Sequence, residues 1–139
     1  MGVVYSKILL RNPRLPHLAV EVDALADTGS LYLCIPESIR AKLQLEVIDE
    51  KELLLADASV RKLPYGPIEV RFKNCVAFTG AVVLGDEVLV GAIPMEDMDL
   101  VVLARTRTLE VNPASPDIAR SILKQNNITY LVRHSEVAQ

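Results

Sequence analysis

The sequence predicts a mainly β fold with one or two short helices, and three observations carry that expectation. Apolar residues alternate along His17-Leu18-Ala19-Val20-Glu21-Val22-Asp23-Ala24-Leu25, which is the period of a half-buried strand. Other apolar runs are set apart by Gly, Pro and Asn breakers, and up to residue 113 only Pro36–Leu43 and Pro94–Met98 read as helix. At 139 residues, with hydrophobic side chains at 50% but aromatics at 4%, the chain makes one domain around an aliphatic core.

Val3 to Leu10 reads as an opening strand, and Arg11-Asn12-Pro13-Arg14-Leu15-Pro16 as a turn. The alternating strand follows and ends at Asp27. Leu31-Tyr32-Leu33-Cys34-Ile35 resumes an extended run. Pro36 to Leu43 then opens on Pro, carries Glu37 in the first turn and ends on base, the order of charges that a helix dipole favours. Glu46 to Leu55 and Val60 to Phe72 read as two arms around Ala56-Asp57-Ala58-Ser59, with Val76 to Leu84 pairing behind them. Val88-Leu89-Val90 stops at Gly91 and passes into the short helix at Pro94. Ser115-Pro116-Asp117 offers an N-cap, Pro at the first helical position and an early acid, with Ile118, Ile122 and Leu123 at helical spacing. Ile128 to Val132 reads as a last strand. The expected division is a domain over 1–113 and a helix-strand extension over 114–139.

The informative stretch is Leu25-Ala26-Asp27-Thr28-Gly29-Ser30. An acid leaves an apolar strand and meets a turn at once, so a carboxylate is held where a carboxylate is costly. Gly29 permits φ > 0 and close backbone approach, and the amides of the turn can point back at the carboxylate. Together with Leu89-Val90-Gly91, Met98-Asp99-Leu100-Val101-Val102 and Thr108-Leu109-Glu110-Val111, in this order over roughly residues 3 to 113, the stretch resembles the retropepsin-like aspartic proteases. The resemblance implies a closed β-barrel of the acid protease fold. It carries the catalytic carboxylate to Asp27 and the loop-supporting residues to Thr28, Gly29, Ser30 and Gly91. The Ser30 hydroxyl is placed to donate to Asp27 and so to stabilise its charged form. Ala56, Asp57, Ala58 and Ser59 take the place of the family's flap tip, although relatives commonly carry Gly where Ala58 stands.

Acid-base hydrolysis of a peptide needs two carboxylates, one activating water and one protonating the carbonyl. The chain supplies one such motif, so the resemblance implies a homodimer with Asp27 beside its symmetry mate, Thr28 reaching across the axis, and a peptide or protein substrate. The chain ends at Val3 to Ile8 and Ile128 to Val132 are then candidates for the dimer interface. A non-catalytic peptide-binding or assembly module of the same fold is the alternative.

Other functions are poorly supplied. A net charge of −3 without a basic stripe, and few rings on which bases could stack, argue against nucleic acid. The apolar run Thr79 to Met95 is broken by Asp86-Glu87 and too short for a bilayer, and Met1 to Leu10 lacks the features of a secretory signal, so a cytoplasmic location without membrane contact is expected. No His/Cys cluster has metal spacing, and no cofactor is called for. His17 and His134 read as exposed or locally bonded. Cys34 and Cys75 read as buried, reduced small apolar residues, and Glu46, Asp49, Glu50 and Glu52 as a solvated acidic face.

Overall fold

The computed structural model describes residues 3–123. Nine strands and two helices follow in order: β1 (Tyr5–Arg11), β2 (Ala19–Ala26), β3 (Leu33–Ile35), α1 (Glu37–Lys42), β4 (Asp49–Leu54), β5 (Val60–Phe72), β6 (Cys75–Val83), β7 (Val88–Val90), α2 (Ala92–Asp97), β8 (Leu100–Leu103) and β9 (Thr108–Val111). The sheet runs β1-β2-β7-β3-β6-β5-β4, and β1 also pairs with β5. Six strands therefore close into a barrel, with β4 hanging from β5 as the outer arm of a hairpin. β8 and β9 form a separate two-stranded ribbon.

The barrel closes because β1 can serve two neighbours. Leu10 pairs with Val20 on one side and Val70 on the other, and at 0% exposure Leu10 and Val70 lie fully inside. At the same seam the buried Glu69 carboxylate accepts from Arg71 Nε at 2.7 Å and lies 3.5 Å from an Arg11 guanidinium nitrogen. Two cations around one buried anion hold the charge where desolvation is costly. Arg11 Nε is buried without a hydrogen-bond partner among the described residues.

The main core is aliphatic, as composition requires, with Ile8, Leu10, Leu33, Ile35, Ile68, Val70 and Val90 fully buried and Phe72 the one buried aromatic side chain among the described residues. Burying such side chains contributes roughly 1.5–3 kcal/mol each. A second, smaller cluster of Cys34, Leu63 and Val82 lies under the β4–β5 hairpin, flanked by Tyr32, Leu53, Leu55, Tyr65 and Leu89.

The turn after β1 has a structural task. Buried Asn12 donates through Nδ2 to the carbonyls of Leu43 and Gln44, at 2.9 and 3.1 Å, while its Oδ1 accepts from the amides of Arg14 and Leu15. It thereby satisfies carbonyls left over at the end of α1, where Gln44 turns left-handed at φ 53°.

One expected element is absent from the described residues. No helix forms over 115–123. The hydroxyl of Ser115 donates to the Asp99 carboxylate, which also accepts from Asn112 Nδ2 and the Arg120 amide at 3.0 Å each. Asn74 Nδ2 donates to the carbonyls of Pro116 and Asp117. The residue that would cap a helix is thus captured by Asp99, in the turn between α2 and β8, and the segment runs on as irregular chain. The expected strand at 128–132 lies outside the described residues.

Candidate active site

Asp27 follows β2, and the topology explains why it is held. β7 lies between β2 and β3, parallel to β2 (Ala24 with Val88, Ala26 with Val90) and antiparallel to β3 (Cys34 with Leu89). The chain from Asp27 to Tyr32 must therefore straddle the end of β7. The Asp27 amide donates to the Val90 carbonyl at 2.9 Å, and across the straddle the amides of Ala92 and Ile93 donate to the carbonyls of Ser30 and Leu31 at 2.8 and 2.9 Å.

Gly91 makes that crossing possible. A Cβ there would sit 2.4 Å from the Tyr32 carbonyl oxygen and 2.7 Å from the Ser30 oxygen, both backbone atoms that cannot step aside. Its φ of −86° is open to any residue, so the requirement is space and not conformation. Gly29 is similar. Its φ is not in the left-handed region, so the conformational freedom expected from the sequence is not used. Its backbone instead approaches the carboxylate closely enough that a Cβ would stand 3.3 Å from Asp27 Oδ1.

Each carboxylate oxygen of Asp27 has one donor. Gly29 N–H reaches Oδ1 at 3.1 Å, and the Ser30 hydroxyl reaches Oδ2 at 2.7 Å. The second contact is the one expected for Ser30 from the sequence. Charge-assisted bonds of this kind fix the plane of the carboxylate. Asp27 is half-buried, while Thr28 is exposed and its side chain makes no hydrogen bond among the described residues.

The flap candidates form the turn of the β4–β5 hairpin. Leu55 and Ser59 close it, with the Leu55 amide donating to the Ser59 carbonyl at 2.8 Å and the Ala58 amide to the Leu55 carbonyl at 2.9 Å. Ala58 is left-handed, at φ 68°, in the place where relatives commonly carry Gly. The Asp57 carboxylate accepts from the Ser59 hydroxyl and amide, which hold its pKa below the ordinary carboxylate value. None of the four residues bonds to the Asp27 loop among the described residues. The hairpin body does approach it: its inner face shares the second apolar cluster with Tyr32, in the crossing chain, and Leu89, beside Val90.

Sequence reasoning did not single out that inner face. Along β4, Lys51 and Leu53 are half-buried while Glu50, Glu52 and Leu54 are exposed, and Lys51 pairs with buried Leu63. Lys51 Nζ lies 4.8 Å from the Tyr65 ring centroid and 5.9 Å from that of Tyr32, and the two rings meet edge to face at 5.6 Å. The alternation along β4 carries the signal, but Glu50 and Glu52 on either side of Lys51 make the stretch read as a solvated acidic face.

The remaining candidates fall as follows. His17 is exposed, and His134 lies outside the described residues. Both cysteines are free and buried, and burial pushes their thiols above the ordinary value. No cluster of His, Cys, Asp and Glu among the described residues could hold a metal ion. No helix among them is long and apolar enough to cross a membrane. Two surface hollows, of about 470 and 550 Å³, flank Tyr65 and the Asp99 segment respectively, and neither is lined by Asp27.

No protein-family model matches the chain, and no curated protein does. Solved structures do. The retroviral protease-like domain of Ddi1 from Leishmania major superposes with a TM-score of 0.53 at 10% identity, covering 91% of this chain and all of that one. The simian foamy virus protease gives 0.45 at 10% identity over 65% of this chain and 91% of its own. A retropepsin-like aspartic protease from Rickettsia conorii gives 0.38 at 15% identity over 66% and 78%. With its closed barrel and two short helices, the chain has the retropepsin-like fold.

Proposed function

We propose that the protein is an aspartic endopeptidase that works as a homodimer. The observation that carries this reading is the Asp27 carboxylate, set just past a barrel strand by the Val90 carbonyl and oriented by one donor on each oxygen. A purely structural turn has no need to hold a half-buried carboxylate against a strand crossing. In the dimer, Asp27 and its mate share one proton. The charged member takes a proton from water as that water attacks the peptide carbonyl, and the protonated member donates to the carbonyl oxygen. Thr28, exposed on the loop, is the group that bonds to the partner loop, and the β4–β5 hairpin closes over the peptide and excludes water. The protein works in the cytoplasm without cofactor or metal. A peptide-binding module without turnover is the alternative, and Ala58 favours it, since a left-handed Ala costs about 1–2 kcal/mol that a flap with Gly would avoid.

Cleavage of a quenched-fluorescent peptide library separates the two. Asp27→Asn is expected to lower kcat/KM at least about 100-fold while the melting temperature stays within a few degrees, since Asn keeps the volume and can still accept from Gly29. Wild-type activity should fall on dilution through the dimer dissociation constant and follow a bell-shaped pH profile on the acid side of neutrality. A fully active Asp27→Asn protein removes Asp27 from the mechanism, and a fully active monomer removes the shared site.

A further inference from the structure

We infer that Lys51 is a specificity residue that selects an acidic side chain in the peptide held beneath the hairpin. The inference rests on the protease reading for its substrate class. Lys51 stands on the inner face of the hairpin, in line with Leu53 and opposite Leu63, and that face packs against Tyr32, at the end of the chain that crosses from Asp27, and Leu89, in the strand it crosses. A peptide lying against Asp27 under the hairpin passes this face.

The platform beneath Lys51 is built and not incidental. The Tyr65 ring occupies the slot left by Gly80, where a Cβ would come within 1.9 Å of its Cζ and Oη. Tyr32 braces that ring edge-on. Ammonium groups over aromatic faces are attracted by the ring quadrupole, so the lysine stem is held down and its head kept beside the cleft. None of the ion pairs among the described residues engages Lys51, although the hairpin carries acids at Asp49, Glu50 and Glu52. Glu50 and Glu52 point to the opposite face, and Asp49 shares the face of Lys51 without pairing to it. A half-buried cation, oriented by two rings and outside every ion pair among the described residues, is suited to a carboxylate.

The test uses matched peptides carrying Glu, Gln or Lys in turn at each position flanking the scissile bond. Wild-type protein should favour Glu over Gln about fivefold in kcat/KM at one position, and the ratio should shrink as salt rises. Lys51→Gln should bring the ratio to about one, and Lys51→Glu should turn the preference to Lys at the same position. Lys62→Glu, an equal change of charge on the outer face, should leave the ratio alone. Anisotropy of the same peptides bound to the Asp27→Asn protein reads the ratio without turnover. If no peptide is cleaved, the protease reading falls and the binding ratio alone decides this inference. A Glu preference that is absent, that survives Lys51→Glu, or that Lys62→Glu abolishes equally overturns it.

Discussion

Two turns in this molecule have nearly the same local chemistry and different consequences. After β2, Asp27 accepts the amide two residues on and the hydroxyl of Ser30. At the hairpin tip, Asp57 accepts the amide two residues on and the hydroxyl of Ser59. Read locally, both are aspartate turns closed by a serine. They differ in what lies behind them. The Asp27 turn straddles β7, with the Val90 carbonyl under its first residue and the Ala92 and Ile93 amides under its last. The Asp57 turn is bonded only within the hairpin and exposed at Ala56, Asp57 and Ala58. The donors are also spread differently, one on each oxygen of Asp27 but both on Oδ1 of Asp57, so the plane of only the first carboxylate is fixed from two sides. A local motif orients a carboxylate, and the strand crossing behind it makes the orientation permanent.

The largest break of this comparison is Gly91→Ala, which removes the crossing and leaves both turns intact as sequence. The added methyl meets backbone oxygens of Ser30 and Tyr32, so the Asp27 loop must move, at a cost of about 2–3 kcal/mol. Chemical denaturation should show that loss, and peptidase activity should fall further than stability alone explains. A variant with wild-type stability would mean that the close approach at Gly91 is not a constraint.

A matched pair sharpens it. Ser30→Ala and Ser59→Ala each remove one hydroxyl from one carboxylate. Ser30→Ala should cut kcat/KM about tenfold, because the carboxylate loses the donor that fixes one side of its plane. Ser59→Ala should leave kcat/KM within about twofold. Its effect lies in titration: the Ser59 hydroxyl is the main cause of the lowered Asp57 pKa, so Asp57 should return toward the ordinary carboxylate value. In the wild type the stabilisation from this turn is complete above the ordinary Asp pKa and is lost only as pH falls through the lower folded value. NMR titration of the Asp57 carboxyl reads the shift, and equal kinetic effects from the two variants would erase the distinction between the turns.

The smallest effect belongs to Ala58→Gly. Relief of the left-handed alanine gains about 1–2 kcal/mol, and the added freedom of the unfolded chain takes back about 0.4–1. A net gain of about 0.5–1 kcal/mol in thermal or urea unfolding is expected, and a net loss would place the strain elsewhere.

What the sequence disclosed is what short-range patterns can encode. The alternation before Asp27, the breaker at Gly91 and the two hairpin arms each follow from neighbours along the chain, and each reappears as β2, the β7–α2 junction and β4–β5. The geometry of the Ser30–Asp27 contact was legible because its partners are three residues apart. The barrel seam was not, since Glu69 finds Arg11 only when β5 meets β1. Ser115 misled for the same reason. Its local signal is a helix cap, but Asp99, distant in sequence, offers its hydroxyl a charged acceptor, and the segment follows that bond. The platform under Lys51 needs Tyr32, Tyr65 and the gap at Gly80, which no single stretch contains.

The double pairing of β1 sets the order in which the chain can be assembled. Its contact with β2 is a neighbour's hairpin and can form early, but its contact with β5 waits until α1, β4 and most of β5 have been made. Until then Ile8 and Leu10 sit on a ribbon with an open edge, and such edges recruit other chains. Closures between distant segments are also slow, because loop entropy is lost before contacts repay it. Recovery from denaturant should therefore be limited by protein concentration during refolding, and dilution before the barrel closes should raise the yield more than any stabilising substitution within it.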